Sequence, residues 1–119
     1  MQQNDFRKVS SDFCKFYYEM WNNNPSNIKT LYDNTKITYL EKEFISFDSY
    51  FNFLKTFVYK LEILNYKYIS QPVGDDYILI NVTGNVSMNY FSKKFTETII
   101  LRKNMWNKYN ITNSIFTLL

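Results

Sequence analysis

The sequence predicts an α+β domain in which helices pack on one face of an antiparallel sheet. Three observations carry this. Apolar residues recur at helical spacing near the start of the chain. They do so again around residues 50–57, and from about residue 60 the pattern switches to alternation with a period of two. With 119 residues the chain is long enough for one domain and too short for two, so 1–119 reads as a single unit. Its residues are 45% hydrophobic and 20% aromatic, enough to fill a core without disulfide or metal staples.

Residues 4–22 carry Phe6, Val9, Phe13, Phe16 or Tyr17, and Met20 on one helical face, with Asn4 or Asp5 as a possible cap. Asn22-Asn23-Asn24-Pro25 ends that helix. Residues 25–33 read as a short helix that turns Ile28, Leu31 and Tyr32 inward, and Asp33-Asn34 as a turn. Lys36–Leu40 alternates as a short strand, Glu41–Glu43 is a charged turn, and Phe44-Ile45 reads as a second small strand. Ser46 or Asp48 can cap the next helix, whose buried face is Tyr50, Phe53, Leu54 and Phe57.

Four long strands follow, over 60–70, 76–90, 94–103 and 108–118. They are separated by Gln71–Asp75, a break near Phe91-Ser92, and Asn104–Asn107. In the second strand Ile78, Ile80, Val82, Val86 and Met88 share a face with Gly84, whose missing side chain permits a bend or bulge.

Composition narrows the function classes. The chain has no histidine, which removes the commonest general base and zinc ligand. No metal or cofactor site is expected. The single cysteine, Cys14, cannot form an internal disulfide and reads as inert packing. A net charge of +3 without a dense basic stripe gives no nucleic-acid signal, and no apolar run is long enough to cross a membrane as a helix. The polar start, Met1–Lys8, lacks an apolar signal region.

The motifs narrow the fold further. Phe13-Cys-Lys-Phe-Tyr17-Tyr18, Leu31-Tyr32, Ile37-Thr38-Tyr39, Gln71-Pro72, Ile80-x-Val82-x-Gly84-x-Val86, Lys94-Phe95-x-x-Thr98-Ile99-Ile100-Leu101 and Tyr109-x-Ile111-x-Asn113-Ser-Ile115-Phe116 follow one another in register. In that order they resemble the nuclear transport factor 2 family, which includes the p15/NXT export cofactors and the G3BP-type domains. The resemblance implies an NTF2-like cone, a strongly curved antiparallel sheet wrapped around a long N-terminal helix with an apolar cavity open at one end.

It also implies a non-catalytic nucleocytoplasmic transport factor that binds Ran-GDP or a Ran-like partner and phenylalanine-glycine nucleoporins. Such a protein works as a homodimer in the cytoplasm and nucleus and at the pores of the nuclear envelope. The alternative is a p15/NXT-type small subunit that forms a heterodimer with a larger mRNA or ribosome export receptor. A G3BP-type peptide-binding domain ranks below both. The resemblance carries a partner-binding pocket onto Tyr39, Leu40, Glu41, Phe57, Leu61, Ile115 and Phe116, with Tyr39 where the family usually has Trp.

The rim departs from the family pattern. Leu40 replaces an acidic residue, Met88-Asn89-Tyr90-Phe91 replaces an acidic loop, and Thr117 replaces an arginine after the last phenylalanine. Relatives of the fold include isomerases and dehydratases that transfer protons inside the cone. That chemistry needs an inward carboxylate or histidine. Glu97, in phase with Phe95 and Ile99, is the one candidate, and the sequence reading gives it a surface or dimer-interface role.

Overall fold

The computed structural model describes the backbone of residues 5–119 and, apart from Asp5, Asp33 and Asn34, their side chains. The proposed cap at Asn4 lies outside the described residues. Helix α1 spans Asp5–Asn23 and buries Phe13, Cys14, Tyr17, Tyr18 and Trp21 along one face. Phe16, the alternative to Tyr17, is exposed. A 3-10 helix, Pro25–Leu31, follows with Pro25 in its first turn and Ile28 fully buried. Strand β1 (Tyr32–Tyr39) begins at once, so Asp33-Asn34 is strand backbone and the predicted turn is absent. Its pairing with the last strand of the chain is irregular between Tyr32 and Lys36.

Strand β2 (Lys42–Phe44) returns antiparallel on β1 through a tight turn at Leu40, whose φ is 58°. Helix α2 (Phe47–Lys55) is capped by Ser46, whose Oγ accepts the Ser49 N–H at 3.1 Å. This decides between Ser46 and Asp48, and Asp48 instead sits in the first turn, where the positive end of the helix dipole favours a carboxylate.

The four long strands are β3 (Leu61–Val73), β4 (Tyr77–Met88), β5 (Phe91–Lys103) and β6 (Tyr109–Leu118). All six strands form one curved sheet in the order β2-β1-β6-β5-β4-β3. Every pair is antiparallel except β1 with β6, which run parallel. A parallel pair is possible here because β1 and β6 are far apart in the chain and no hairpin joins them.

Two local features shape the curve. Gln71-Pro72, expected in a turn, lies inside β3, and the turn falls on Gly74 with φ 66°. Proline is tolerated there because β3 is an edge strand with one unpaired side. Further along, β3 bulges between Leu64 and Lys67, opposite Gly84. A Cβ on Gly84 would lie 2.8 Å from the Tyr66 Cα, so only glycine lets the bulged strand approach. The β4–β5 hairpin turns on Asn89 and Tyr90, both with positive φ, which matches the right-handed strand twist. The break is therefore two residues before the predicted Phe91-Ser92.

The core lies between the concave face of the sheet and the two helices. Cross-strand register arranges that face in rows. One row runs Tyr68, Val82, Glu97, Phe116, Tyr39 across β3, β4, β5, β6 and β1. The adjacent row, Ile69, Asn81, Thr98, Ile115, Thr38, faces the other way.

Candidate functional site

The first of these rows places a carboxylate in the core. Glu97 is 4% exposed, although an exposed or interfacial position was expected. Its phase with Phe95 and Ile99 proves decisive, because all three occupy the buried face of β5. Helix α1 supplies what the charge needs. Tyr18 donates its hydroxyl to Glu97 Oε1 at 2.7 Å, and Tyr17 donates to Oε2 at 3.0 Å. Adjacent residues on a helix project about 100° apart, so consecutive tyrosines can grip the two oxygens from two sides.

The network extends outward. The Tyr17 and Tyr32 hydroxyls are 2.9 Å apart, and Tyr32 also hydrogen-bonds Ser114, itself buried. No buried side-chain nitrogen or oxygen among the described residues lacks a partner.

Burial raises the Glu97 carboxyl from 4.5 to about 7, against the opposing pull of the Tyr18 and Tyr17 hydrogen bonds. Both protonation states are therefore accessible near neutral pH. Tyr17, Tyr18 and Tyr50 are pushed well above the usual phenol range, first by burial and then by the field of Glu97. The Cys14 thiol is raised to about 12 for the same two reasons and stays a buried thiol.

Glu97 borders an internal cavity whose other walls include Tyr18, Trp21, Tyr50, Leu54 and Met88. Tyr39, Leu61 and Phe116 converge on this cavity. Tyr39 stacks on Phe116 at 5.5 Å and 11°, and Phe116 stacks on Phe95 at 5.3 Å and 13°. The free space is small, about 20 Å³, room for roughly one water molecule. The aromatic rings that line the cone therefore nearly fill it.

The other pocket candidates lie elsewhere. Ile115 is 51% exposed, because strand alternation turns it to the face opposite Phe116. Leu40 and Glu41 make the β1–β2 turn and are exposed outside the cavity. Leu40 is tied to the last strand through its backbone, its N–H donating to the Phe116 carbonyl at 2.8 Å. Phe57 is 44% exposed and does not line the cavity, but its ring lies 6.2 Å from Tyr39 and 5.2 Å from Phe53, forming an aromatic shelf outside.

The sequence names Glu97 as the one candidate acid but not its pairing with Tyr17 and Tyr18, and it does not assign Trp21, Tyr50, Leu54, Ile63 and Met88 to the cavity they line. The signal for that pairing was present as a Tyr-Tyr pair on the buried face of α1 and a glutamate in phase with the apolar residues of β5. Among the described residues no three His, Cys, Asp or Glu side chains cluster as a metal site. No helix among them is long and apolar enough to cross a membrane.

The family model for the nuclear transport factor 2 (NTF2) domain matches residues 9–118. The solved structure of nuclear transport factor 2 from Cryptosporidium parvum is similar over 100% of this chain and 98% of that one, with a TM-score of 0.87 and 19% identity. A chain of the C. albicans Mtr2–Mex67 M domain complex is similar over 94% of this chain and 93% of that one, with a TM-score of 0.76 and 10% identity. A putative scytalone dehydratase from Novosphingobium aromaticivorans is similar over 98% of this chain and 88% of that one, with a TM-score of 0.77 and 11% identity. Identities this low establish shared fold alone, and that fold serves transport factors and enzymes alike. No curated protein matches the sequence.

Proposed function

Because the chain belongs to the nuclear transport factor 2 (NTF2) domain family, we propose that it is a protein-binding transport adaptor rather than an enzyme. The observation that carries this reading is the convergence of Tyr39, Leu61 and Phe116 on one cavity, with the exposed ring of Phe57 beside Tyr39. A partner would seat an apolar side chain at that mouth. Only about 20 Å³ is free inside, so entry requires Tyr39 and Met88 to move. The Tyr39 hydroxyl is held by a 3.7 Å contact to the Met88 sulfur, a weak acceptor on a flexible side chain.

A Ran-like GTPase in its GDP form is the first partner to test, with phenylalanine-glycine nucleoporins as second ligands on exposed aromatic surface and residence at nuclear pores as the consequence. The sequence around the pocket favours a partner with few basic groups, because the Asn89–Phe91 turn that follows Met88 has no acid and Lys93 and Lys94 come after it. The second reading, a small subunit of a larger export receptor, is favoured by the outward sheet row. Ile69 is 73% exposed and Ile115 51%, apolar surface that a larger partner or a second copy would cover.

Affinity purification from the source cell, followed by identification of the stoichiometric partner, tests both. A Ran-like GTPase band that is lost in Tyr39→Ala supports the first reading. A larger protein with its own similar domain, retained in Tyr39→Ala but lost in Ile115→Asp, supports the second. If purified protein binds neither, or binds a small-molecule substrate and turns it over only with Glu97 intact, the adaptor reading is wrong.

A further inference from the structure

We propose that the groove between the end of α1 and the α2–β3 connection is a docking site for an acidic segment of another protein, one that presents an apolar side chain flanked by carboxylates. The groove holds about 480 Å³, far more than the internal cavity, and Trp21 and Leu61 face both hollows. Its floor is apolar, with Phe51 and Val58 beside those two. The charged residues that line it are Lys55 and Lys60, and no carboxylate does. Neither lysine makes an ion pair among the described residues. The Lys55 ammonium lies 4.8 Å from the centre of the Phe51 ring, which holds a positive charge at the edge of the apolar floor.

The groove is also preformed. Asn89 reaches across from the β4–β5 turn, accepts the Tyr59 N–H at 2.8 Å and the Lys60 N–H at 3.2 Å, and donates to the Phe57 carbonyl at 2.7 Å. Three bonds from one side chain fix the connection, so little conformational entropy remains to be lost on binding. Two uncompensated cations beside an apolar floor complement an acidic–apolar segment. A nucleic-acid backbone calls for a longer cationic track than two lysines.

The test uses the full chain and three fluorescent probes: a Leu-Phe peptide flanked by aspartates, the same peptide flanked by lysines, and a short single-stranded oligothymidylate. The acidic peptide is expected to bind at least about tenfold tighter than the basic one, with a preference that shrinks as salt rises. The double variant K55E/K60E, altered only at exposed side chains and checked for folding by circular dichroism, is expected to reverse that preference. Equal binding of the two peptides, an unchanged preference in the double variant, or no binding of the acidic peptide overturns the proposal. Tighter binding of the oligothymidylate assigns the groove to nucleic acid instead. None of these outcomes depends on whether Tyr39 accepts a partner at the cavity mouth.

Discussion

Two neighbouring rows of the same sheet reverse the usual placement of polar and apolar side chains. The inward row, Tyr68, Val82, Glu97, Phe116, Tyr39, buries an acid, and the outward row, Ile69, Asn81, Thr98, Ile115, Thr38, leaves two isoleucines in solvent. The buried acid of the inward row and the amide of the outward row are nonetheless both satisfied. Glu97 is held by Tyr17 and Tyr18, and Asn81 donates to Thr96 and Thr98 at 3.3 and 3.1 Å. The difference lies in what solvent can repair. A lost bond on the outward face is replaced by bulk water, and on the inward face the free space of about 20 Å³ admits no more than about one water to replace it.

The comparison breaks most sharply at Glu97→Ala. This change deletes a buried side chain and strands the Tyr18 hydroxyl, so denaturant unfolding at pH 5 is expected to show a loss of ~4 kcal/mol. A loss below about 1 kcal/mol would mean that water repairs the inward row as well.

The pH dependence is the next largest effect. The Glu97 carboxyl is raised from 4.5 to about 7 on folding. Below 4.5 it is protonated in both states and its contribution to stability is fully present. As pH rises from 4.5 to 7 the unfolded chain gives up the proton first, and stability falls. At roughly 1.4 kcal/mol per pH unit this amounts to ~3 kcal/mol. Urea midpoints between pH 4.5 and 8 should decline for the native protein and stay nearly flat for Glu97→Gln, which becomes the more stable of the two above pH 7.

Gly84→Ala probes the bend that brings the inward row against α1. With the Tyr66 Cα only 2.8 Å from the new Cβ, the β3 bulge must shift, at a cost of ~2 kcal/mol in thermal or chemical unfolding. The smallest effect belongs to the outward row. Ile115→Thr should change the stability of an isolated chain by less than about 0.5 kcal/mol. A larger loss that grows with protein concentration would show that this face is covered by a second copy.

Much of this architecture was legible in the residues. The helical face of α1, the period-two strands and the Gly84 bend follow from spacing, and the Tyr17-Tyr18 and Ile115-Phe116 segments carried the family resemblance that the NTF2 domain match bears out. Other features depend on three-dimensional context. Ile115 and Phe116 cannot share a pocket in a regular strand, and alternation alone could have excluded one of them. Glu97 reads from sequence as a surface or dimer-interface residue, and acids are rarely buried without partners. Its partners come from a helix 79 and 80 residues away in sequence, a pairing that no local pattern announces. The fullness of the cavity depends on how Tyr39, Phe116 and Phe95 stack, and ring orientation is not written in sequence spacing.

The buried Glu97 also makes folding a proton-uptake reaction. Near pH 6 the unfolded carboxylate is largely ionised and the folded one largely protonated. Each molecule that folds there takes most of one hydrogen ion from its buffer. Calorimetric unfolding enthalpies should consequently differ between a phosphate and an imidazole buffer by close to the difference in their ionisation heats. The same offset should vanish in the glutamine variant.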